Sequence, residues 1–303
     1  MDRVKTQTAP FRWKLWWMAA RPKTLWASIA PVMMGTAMAY ADGHFHPPAA
    51  LAALMGALLI QMGTNLANDY YDYLKGADQE KRLGPLRVTQ AGLIAPASMK
   101  RAFIFTFSLA FLVGVYLIWR GGWPILIVGL LSILFGILYT GGPFPLGYNG
   151  LGDIFVLIFF GPVAVAGTYY VQALALRPEV PIAGLAPGLL STALLTVNNL
   201  RDIDTDRLAG KRTLAVRFGK HFAQWEYVFC ILVAAFVPIY LAIKLHTHYF
   251  SILAVAILIP AFSEIKTIFS FSDPAVLNHT LVRTGKMVFI YSLLFSIGWI
   301  LPG

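Results

Sequence analysis

The sequence predicts an all-α integral membrane protein, a nine-helix transmembrane bundle built as two four-helix pseudo-repeats plus one helix. Three observations predict it. The 303 residues are 58% hydrophobic and 13% charged, with a mean hydropathy of +0.66. A soluble domain carries about 25% charged residues, so much of this chain faces lipid. Apolar stretches of crossing length recur nine times, and polar residues in two of the intervening loops repeat at one offset.

Crossing the hydrocarbon core takes about 17–25 helical residues. Helices are required because every backbone polar group in lipid must be satisfied within its own segment, and no alternating barrel pattern is present. The spans fall near 25–42, 49–69, 101–119, 123–140, 151–172, 182–199, 224–243, 247–263 and 286–302. Pro31, Pro162, Pro187 and Pro238 lie inside spans, where kinks are expected.

Basic residues set the orientation. With nine spans, 21 of the 24 Lys and Arg fall on the side of the N terminus, and the opposite loops hold only Arg120, Arg177 and Lys244. The positive-inside rule then puts the N terminus and the large loops in the cytoplasm. The expectation is a multi-pass protein of the cell's inner (plasma) membrane, one domain over residues 1–303 with a basic tail at 1–24 and no cleavable signal peptide. The net charge of +10 follows this asymmetry, so it points to the lipid bilayer and not to nucleic acid. No protein partner is implied. The lone Cys230, in an apolar run, excludes an internal disulfide framework and a cysteine metal cluster.

The repeat has an offset of 130 residues. Asn68 matches Asn198, Asp72 matches Asp202, Lys81 matches Lys211, Arg82 matches Arg212, and Arg87 matches Arg217. Each set follows an even-numbered span, so both polar segments face the same side. Half of the acidic residues also sit there, as Asp69, Asp72, Asp78 and Glu80 in one cluster and Asp202, Asp204 and Asp206 in the other. Asn68 and Asp72, and likewise Asp202 and Asp206, share a helix face at i, i+4. Carboxylates that close repel one another unless a cation sits among them. Their oxygens, with those of Asn68, suit Mg²⁺, which takes one or two carboxylates plus phosphate oxygens. Lys81, Arg82, Lys211 and Arg212 cannot bind a metal but can neutralise phosphate. Acids for metal beside bases for phosphate describe a diphosphate site.

These segments resemble a known family. Asn68-Asp69-Tyr70-Tyr71-Asp72 through Asp78 is similar to the first aspartate-rich motif of the UbiA superfamily of intramembrane prenyltransferases, and Asn198 to Asp206 is similar to its second. Arg21-Pro22-Lys23-Thr24, Gly84-Pro85-Leu86-Arg87-Val88-Thr89-Gln90, Tyr139-Thr140-Gly141-Gly142-Pro143, Gly150-Leu151-Gly152-Asp153 and Ala209-Gly210-Lys211-Arg212-Thr213 resemble one branch, the 1,4-dihydroxy-2-naphthoate prenyltransferases of menaquinone synthesis. The resemblance covers residues 21 to about 220.

It implies a central cavity in which Mg²⁺ bridges a polyprenyl diphosphate to the two motifs, and transfer of the prenyl group to an aromatic acid. Asn68, Asp72, Asp78, Asp202 and Asp206 are the expected metal ligands. Asp72, Asp202 and Lys211 are expected to carry the chemistry. Lys23, Asn68, Lys81, Arg82, Tyr139, Asn198 and Arg212 are expected to contact substrate. Tyr70, Tyr71 and Tyr73 join Tyr139 as candidate shields of an allylic cation. A 4-hydroxybenzoate or homogentisate acceptor is the alternative within the family. Outside it, an anion transporter would place its ionisable groups nearer the midplane, and a phosphatidyltransferase would carry an Asp-x-x-Asp-Gly run that is missing here.

Overall fold

The computed structural model describes residues 12–76, 83–84 and 86–302. Asp78, Lys81 and Arg82 lie outside the described residues. Among the described residues the chain is all helical. Seven segments are long and apolar enough to cross a membrane, and Trp123–Leu138 is a shorter apolar helix. The first expected span is Trp26–Ala41, 16 residues long. Two of the nine expected crossings are therefore short.

The N-terminal segment holds more structure than a tail. Helix α1 (Arg12–Ala20) buries Leu15 and Ala19 against Leu66 and Ala67, leaving Trp13 and Trp17 exposed. Tryptophan is the residue enriched at membrane–water interfaces. The chain then turns at Arg21 in the left-handed region (φ 52°). The Thr24 hydroxyl donates to the Arg21 carbonyl (2.9 Å), and Asn65 Nδ2 donates to the Ala20 carbonyl (2.9 Å) and Thr24 Oγ1 (3.1 Å). The turn is thereby pinned before α2 (Trp26–Ala41) begins.

Helix α3 (Pro47–Leu74) starts with prolines in its first turn, where no N–H partner is needed, and with His46 Nδ1 accepting from the Ala49 N–H. It runs past the expected end at 69 and stops at Lys75 and Gly76, the glycine at φ 60°. Asp72 is thus held inside the last helical turn. Helix α4 (Pro96–Gly121) packs back along α3, and α5 (Trp123–Leu138) follows on the periphery with Ile125 as its one buried residue.

The fifth span is broken, as Pro162 predicts, into α6 (Gly152–Phe159) and α7 (Pro162–Ala173). The break rests on α8 (Glu179–Arg201) at Gly184 and Gly188, a small-xxx-small surface. A Cβ on Gly161 would lie 2.6 Å from the Gly184 carbonyl oxygen and 2.9 Å from the Gly188 Cα. Pro187, by contrast, sits within a continuous helix, and Pro238 lies in helical backbone well beyond a kink at Gly219 (φ 86°).

Helix α8 is the axis of the bundle: 72% of its apolar window is buried, against 17% for α4. It ends at Asp202 and hands over to the short α9 (Ile203–Leu208). Thr213 caps α10 (Leu214–Leu245), followed by α11 (Leu258–Ser270) and α12 (Leu277–Ile300). Helices α2, α8, α10 and α12 share the main apolar core, with residues such as Met34, Leu190, Ile231 and Phe295. The opposite wall, α3 to α7, encloses a cavity.

Candidate active site

The cavity has a volume of about 790 Å³ and runs between α2 and α8 on one side and α3 to α7 on the other. Ala53 and Asp72, both on α3, line its two ends. Nineteen residues of helix separate them, about 28 Å, close to the full hydrocarbon thickness. One end is polar and the rest is apolar.

At the polar end Asn68 and Asp72 from α3 meet Asn198 and Asp202 from α8 and Asp206 from α9. The matched residues of the two acid-rich segments therefore line one cavity. The Asp206 N–H donates to the Asp202 carbonyl (2.7 Å), which keeps a helical turn across the junction and both side chains on the cavity side. Asp204 points out and lies 3.7 Å from Arg207 on the surface. Asp69 is buried but does not line the cavity.

Each acid is matched by a cation. Asp72 pairs with Arg87 and accepts from Tyr148 Oη at 2.7 Å. Asp202 receives a two-pronged contact from Arg201, Nε to Oδ1 at 2.8 Å and Nη2 to Oδ2 at 2.6 Å. Asp206 lies 3.0 Å from Lys211 Nζ. Burial pushes the Asp206 carboxyl above the ordinary carboxylate range, and Lys211 opposes that shift. Three carboxylates and five basic side chains (Arg21, Lys23, Arg87, Arg201 and Lys211) line the described cavity, an excess of positive charge suited to a polyanion.

Tyr148 joins these groups. Its ring lies 4.6 Å from Lys75 Nζ and 5.1 Å from Lys211 Nζ, and the Arg212 N–H holds its carbonyl at 2.7 Å. Lys75 donates to the Thr140 carbonyl (2.7 Å), and burial lowers its pKa from the ordinary lysine value. Thr140 in turn donates to Asn68 Oδ1 (2.8 Å), which fixes that amide and leaves a second lone pair on the oxygen. Arg201 Nη2 donates to Asn198 Oδ1 (2.9 Å), so the Asn198 amide nitrogen is the group left for an anion.

Of the tyrosines named as shields, only Tyr139 lines the cavity. Tyr70 and Tyr71 pack on Phe103 between α3 and α4, and Tyr73 is exposed. Lys23 is exposed at the cavity mouth. The Arg212 side chain is exposed and does not line the cavity. Asp153, the last residue of the Gly150–Asp153 motif, sits within the first turn of α6 behind an N-cap at Leu151, and the helix start has no side-chain cap bond.

Sequence reasoning passed over Tyr148 and the clamping roles of Arg87 and Arg201. The offset-130 match of Arg87 with Arg217 also separates here. Arg217 donates to the Asn149 carbonyl (2.9 Å), and Arg201 takes the place beside Asp202.

Among the described residues no three His, Cys, Asp or Glu side chains form a cage able to hold an ion alone. The oxygens of Asn68, Asp72, Asp202 and Asp206 instead fit a hard cation that completes its shell with phosphate oxygens and water. Beyond them the cavity is walled by Ile60, Leu126, Phe135, Phe155, Phe159 and Val163. Phe135 meets Phe155 and Phe159 edge-on at 4.7 and 5.5 Å.

Residues 28–293 match the model of the UbiA prenyltransferase family. The chain is 41% identical over 297 residues to the 1,4-dihydroxy-2-naphthoate octaprenyltransferase of Escherichia coli (strain K12), covering 95% of each. It is 36% identical over 298 residues to the Haemophilus influenzae enzyme of that name, covering 94% of this chain and 95% of that one. Its fold is similar to that of a UbiA homolog from Archaeoglobus fulgidus solved bound to DMAPP and Mg²⁺, with a TM-score of 0.63, 15% identity, and coverage of 93% of this chain and 99% of that one. With a match that spans all but its ends, the chain belongs to the UbiA prenyltransferase family.

Proposed function

We propose that this chain transfers a polyprenyl group from polyprenyl diphosphate to 1,4-dihydroxy-2-naphthoate, releasing diphosphate and CO₂ and forming demethylmenaquinone as its quinol. The observation that carries the reading is one cavity, about 28 Å from end to end, joining a polar end rich in paired acids and bases to an apolar arm. Such a space fits a molecule with a charged head and a long hydrocarbon tail. The naphthoate acceptor is supported by identity to the E. coli and H. influenzae octaprenyltransferases across nearly the whole chain. We place the polar end in the cytoplasm and the protein in the inner membrane, because 21 of the 24 basic residues fall on that side.

In this reading Asn68, Asp72, Asp202 and Asp206 hold Mg²⁺, with Asp78 as a further ligand. Mg²⁺, when bound, neutralises charge on the departing diphosphate. Lys211, Arg87 and the Asn198 amide nitrogen donate to the phosphate oxygens as the allylic C–O bond breaks and its electron pair leaves with the diphosphate. Lys81 and Arg82 are assigned to neutralise the same phosphate charge. Arg21 and Lys23 at the mouth receive the acceptor carboxylate. Tyr139, which lines the cavity, shields the allylic cation from water. The ring carbon bearing the carboxylate then attacks, and loss of CO₂ returns the electron pair to the ring. No base is required for this step.

The test incubates the purified protein with Mg²⁺, octaprenyl diphosphate and carboxyl-labelled dihydroxynaphthoate. Labelled CO₂ and a prenylated quinol are expected in equal amounts. Prenylation of 4-hydroxybenzoate or homogentisate in its place removes the naphthoate reading.

Two further outcomes are expected. Tyr148→Phe keeps the ring between Lys75 and Lys211 but deletes the bond to Asp72. The Mg²⁺ concentration for half-maximal transfer should rise about 10- to 100-fold, the usual cost of losing a partner that orients a metal ligand. The arm has its own control. Gly56, Gly114, Gly129 and Gly167 line it from four helices, and a Cβ on any of them would meet nothing within 4 Å. Gly129→Leu should lower kcat/KM for octaprenyl diphosphate by at least about tenfold while sparing geranyl diphosphate. Leucine also suits a helix better than glycine by up to about 1 kcal/mol, so the fold should not suffer.

A further inference from the structure

The motifs quoted from the sequence end near residue 220, yet the last helix also bears on the site. Asn278, in the first turn of α12, accepts at Oδ1 from Arg201 Nη1 (3.0 Å). Its Nδ2 donates to the Leu83 carbonyl (3.0 Å) and to the Ala275 carbonyl (3.1 Å). Arg201 can only donate, so the amide has one orientation that satisfies all three partners. Arg201 is 2% exposed and makes its other bonds to Asp202 and Asn198. Leu83 opens the segment that carries Arg87 onto Asp72 four residues later. The two arginine–aspartate pairs, one from each acid-rich segment, therefore meet through a single carboxamide.

We propose that Asn278 is a positioning residue that holds these two pairs in register, so that Asp72 and Asp202 face the same diphosphate. The inference rests on the prenyl-transfer reading above. It assigns Asn278 no contact with substrate. Its effect is transmitted through Arg201 on one side and through the backbone of Leu83 on the other. Groups that orient a site in this way set geometry that the substrate's own binding energy would otherwise have to impose.

Asn278→Asp and Asn278→Ala separate the two links in the purified full-length protein. Aspartate keeps an acceptor for Arg201 and loses both donors, whereas alanine loses everything. Asn278→Asp is expected to raise KM for the prenyl diphosphate about tenfold with kcat within about twofold, and Asn278→Ala to lower kcat about tenfold as well. A role confined to stability would lower the melting temperature of both variants and leave KM and kcat per folded molecule at the wild-type values. That result overturns the proposal. Hydrogen exchange gives a readout independent of turnover. Backbone amides over residues 86–94 should exchange faster in both variants, and unchanged exchange overturns the tie even if the wild-type protein transfers no prenyl group. Wild-type inactivity alone would count against the function and not against the tie.

Discussion

Asp72→Asn and Asp202→Asn are each expected to reduce prenyl transfer by at least about a thousandfold, the scale of losing a principal electrostatic stabiliser of a departing group. Both replacements keep side-chain size and a hydrogen-bonding oxygen. In D72N the amide oxygen can still accept from Tyr148 Oη, and in D202N it can still receive one prong of Arg201, so the bundle should fold. What is lost is the negative charge that a divalent cation needs at the joint of the two halves. The check is a pair of measurements on purified protein, turnover with saturating Mg²⁺ and melting temperature. Near-normal melting with turnover down by the stated factor fits the assignment. Turnover within tenfold of wild type in either variant would take that aspartate out of the metal site.

Arg201→Met should give the largest loss of stability. The guanidinium is buried and makes four hydrogen bonds, to Asp202, Asn198 and Asn278. Methionine of similar length leaves the Asp202 carboxylate buried without its partner and strips a donor from two amide oxygens. Removing one member of a buried ion pair costs about 3–5 kcal/mol. Lysine should not rescue it, because a single ammonium cannot reproduce the parallel contact to both Asp202 oxygens. The comparison is Lys211→Met. Its pair with Asp206 is more open to water, so the effect on stability should be smaller while the effect on turnover stays large. Thermal unfolding of the two variants in the same detergent separates these expectations.

The parts of the fold legible in the sequence are those set by local chemistry. Apolar length placed the crossings, and the Asn-x-x-x-Asp spacing put Asn68 and Asp72 on one face. The match at offset 130 foretold that Asn198 and Asp202 would join them. Pro162 marked the break between α6 and α7. What escaped depends on contacts between distant segments. Tyr148 lies 76 residues from the aspartate it touches, in a loop with no motif of its own. Arg201 reads as one more basic residue at a helix end on the Lys- and Arg-rich side, and only burial distinguishes it from an anchor. Tyr70 and Tyr71 are adjacent to the acids in sequence, but the helical turn sends them to the α4 side. Helix α1 was hidden because tryptophans and lysines at a terminus also describe an interfacial tail.

The broken span bears on how the protein enters the membrane. Residues Gly152–Ala173 form one apolar stretch of 22 residues, within which 18 consecutive residues have a mean hydropathy of 2.0, enough to insert as a single crossing. Helices α6 and α7, of 8 and 12 residues, are each too short to do so alone. Insertion reads the composition of the whole stretch, whereas the bend at Gly161 finds its counterpart only when Gly184 and Gly188 arrive with the next segment. Synthesis order therefore supplies the bent piece first and its seat second. A bulky residue at Gly184 or Gly188 would leave membrane integration intact and stop the protein at a later stage, as an inserted chain that cannot close its bundle.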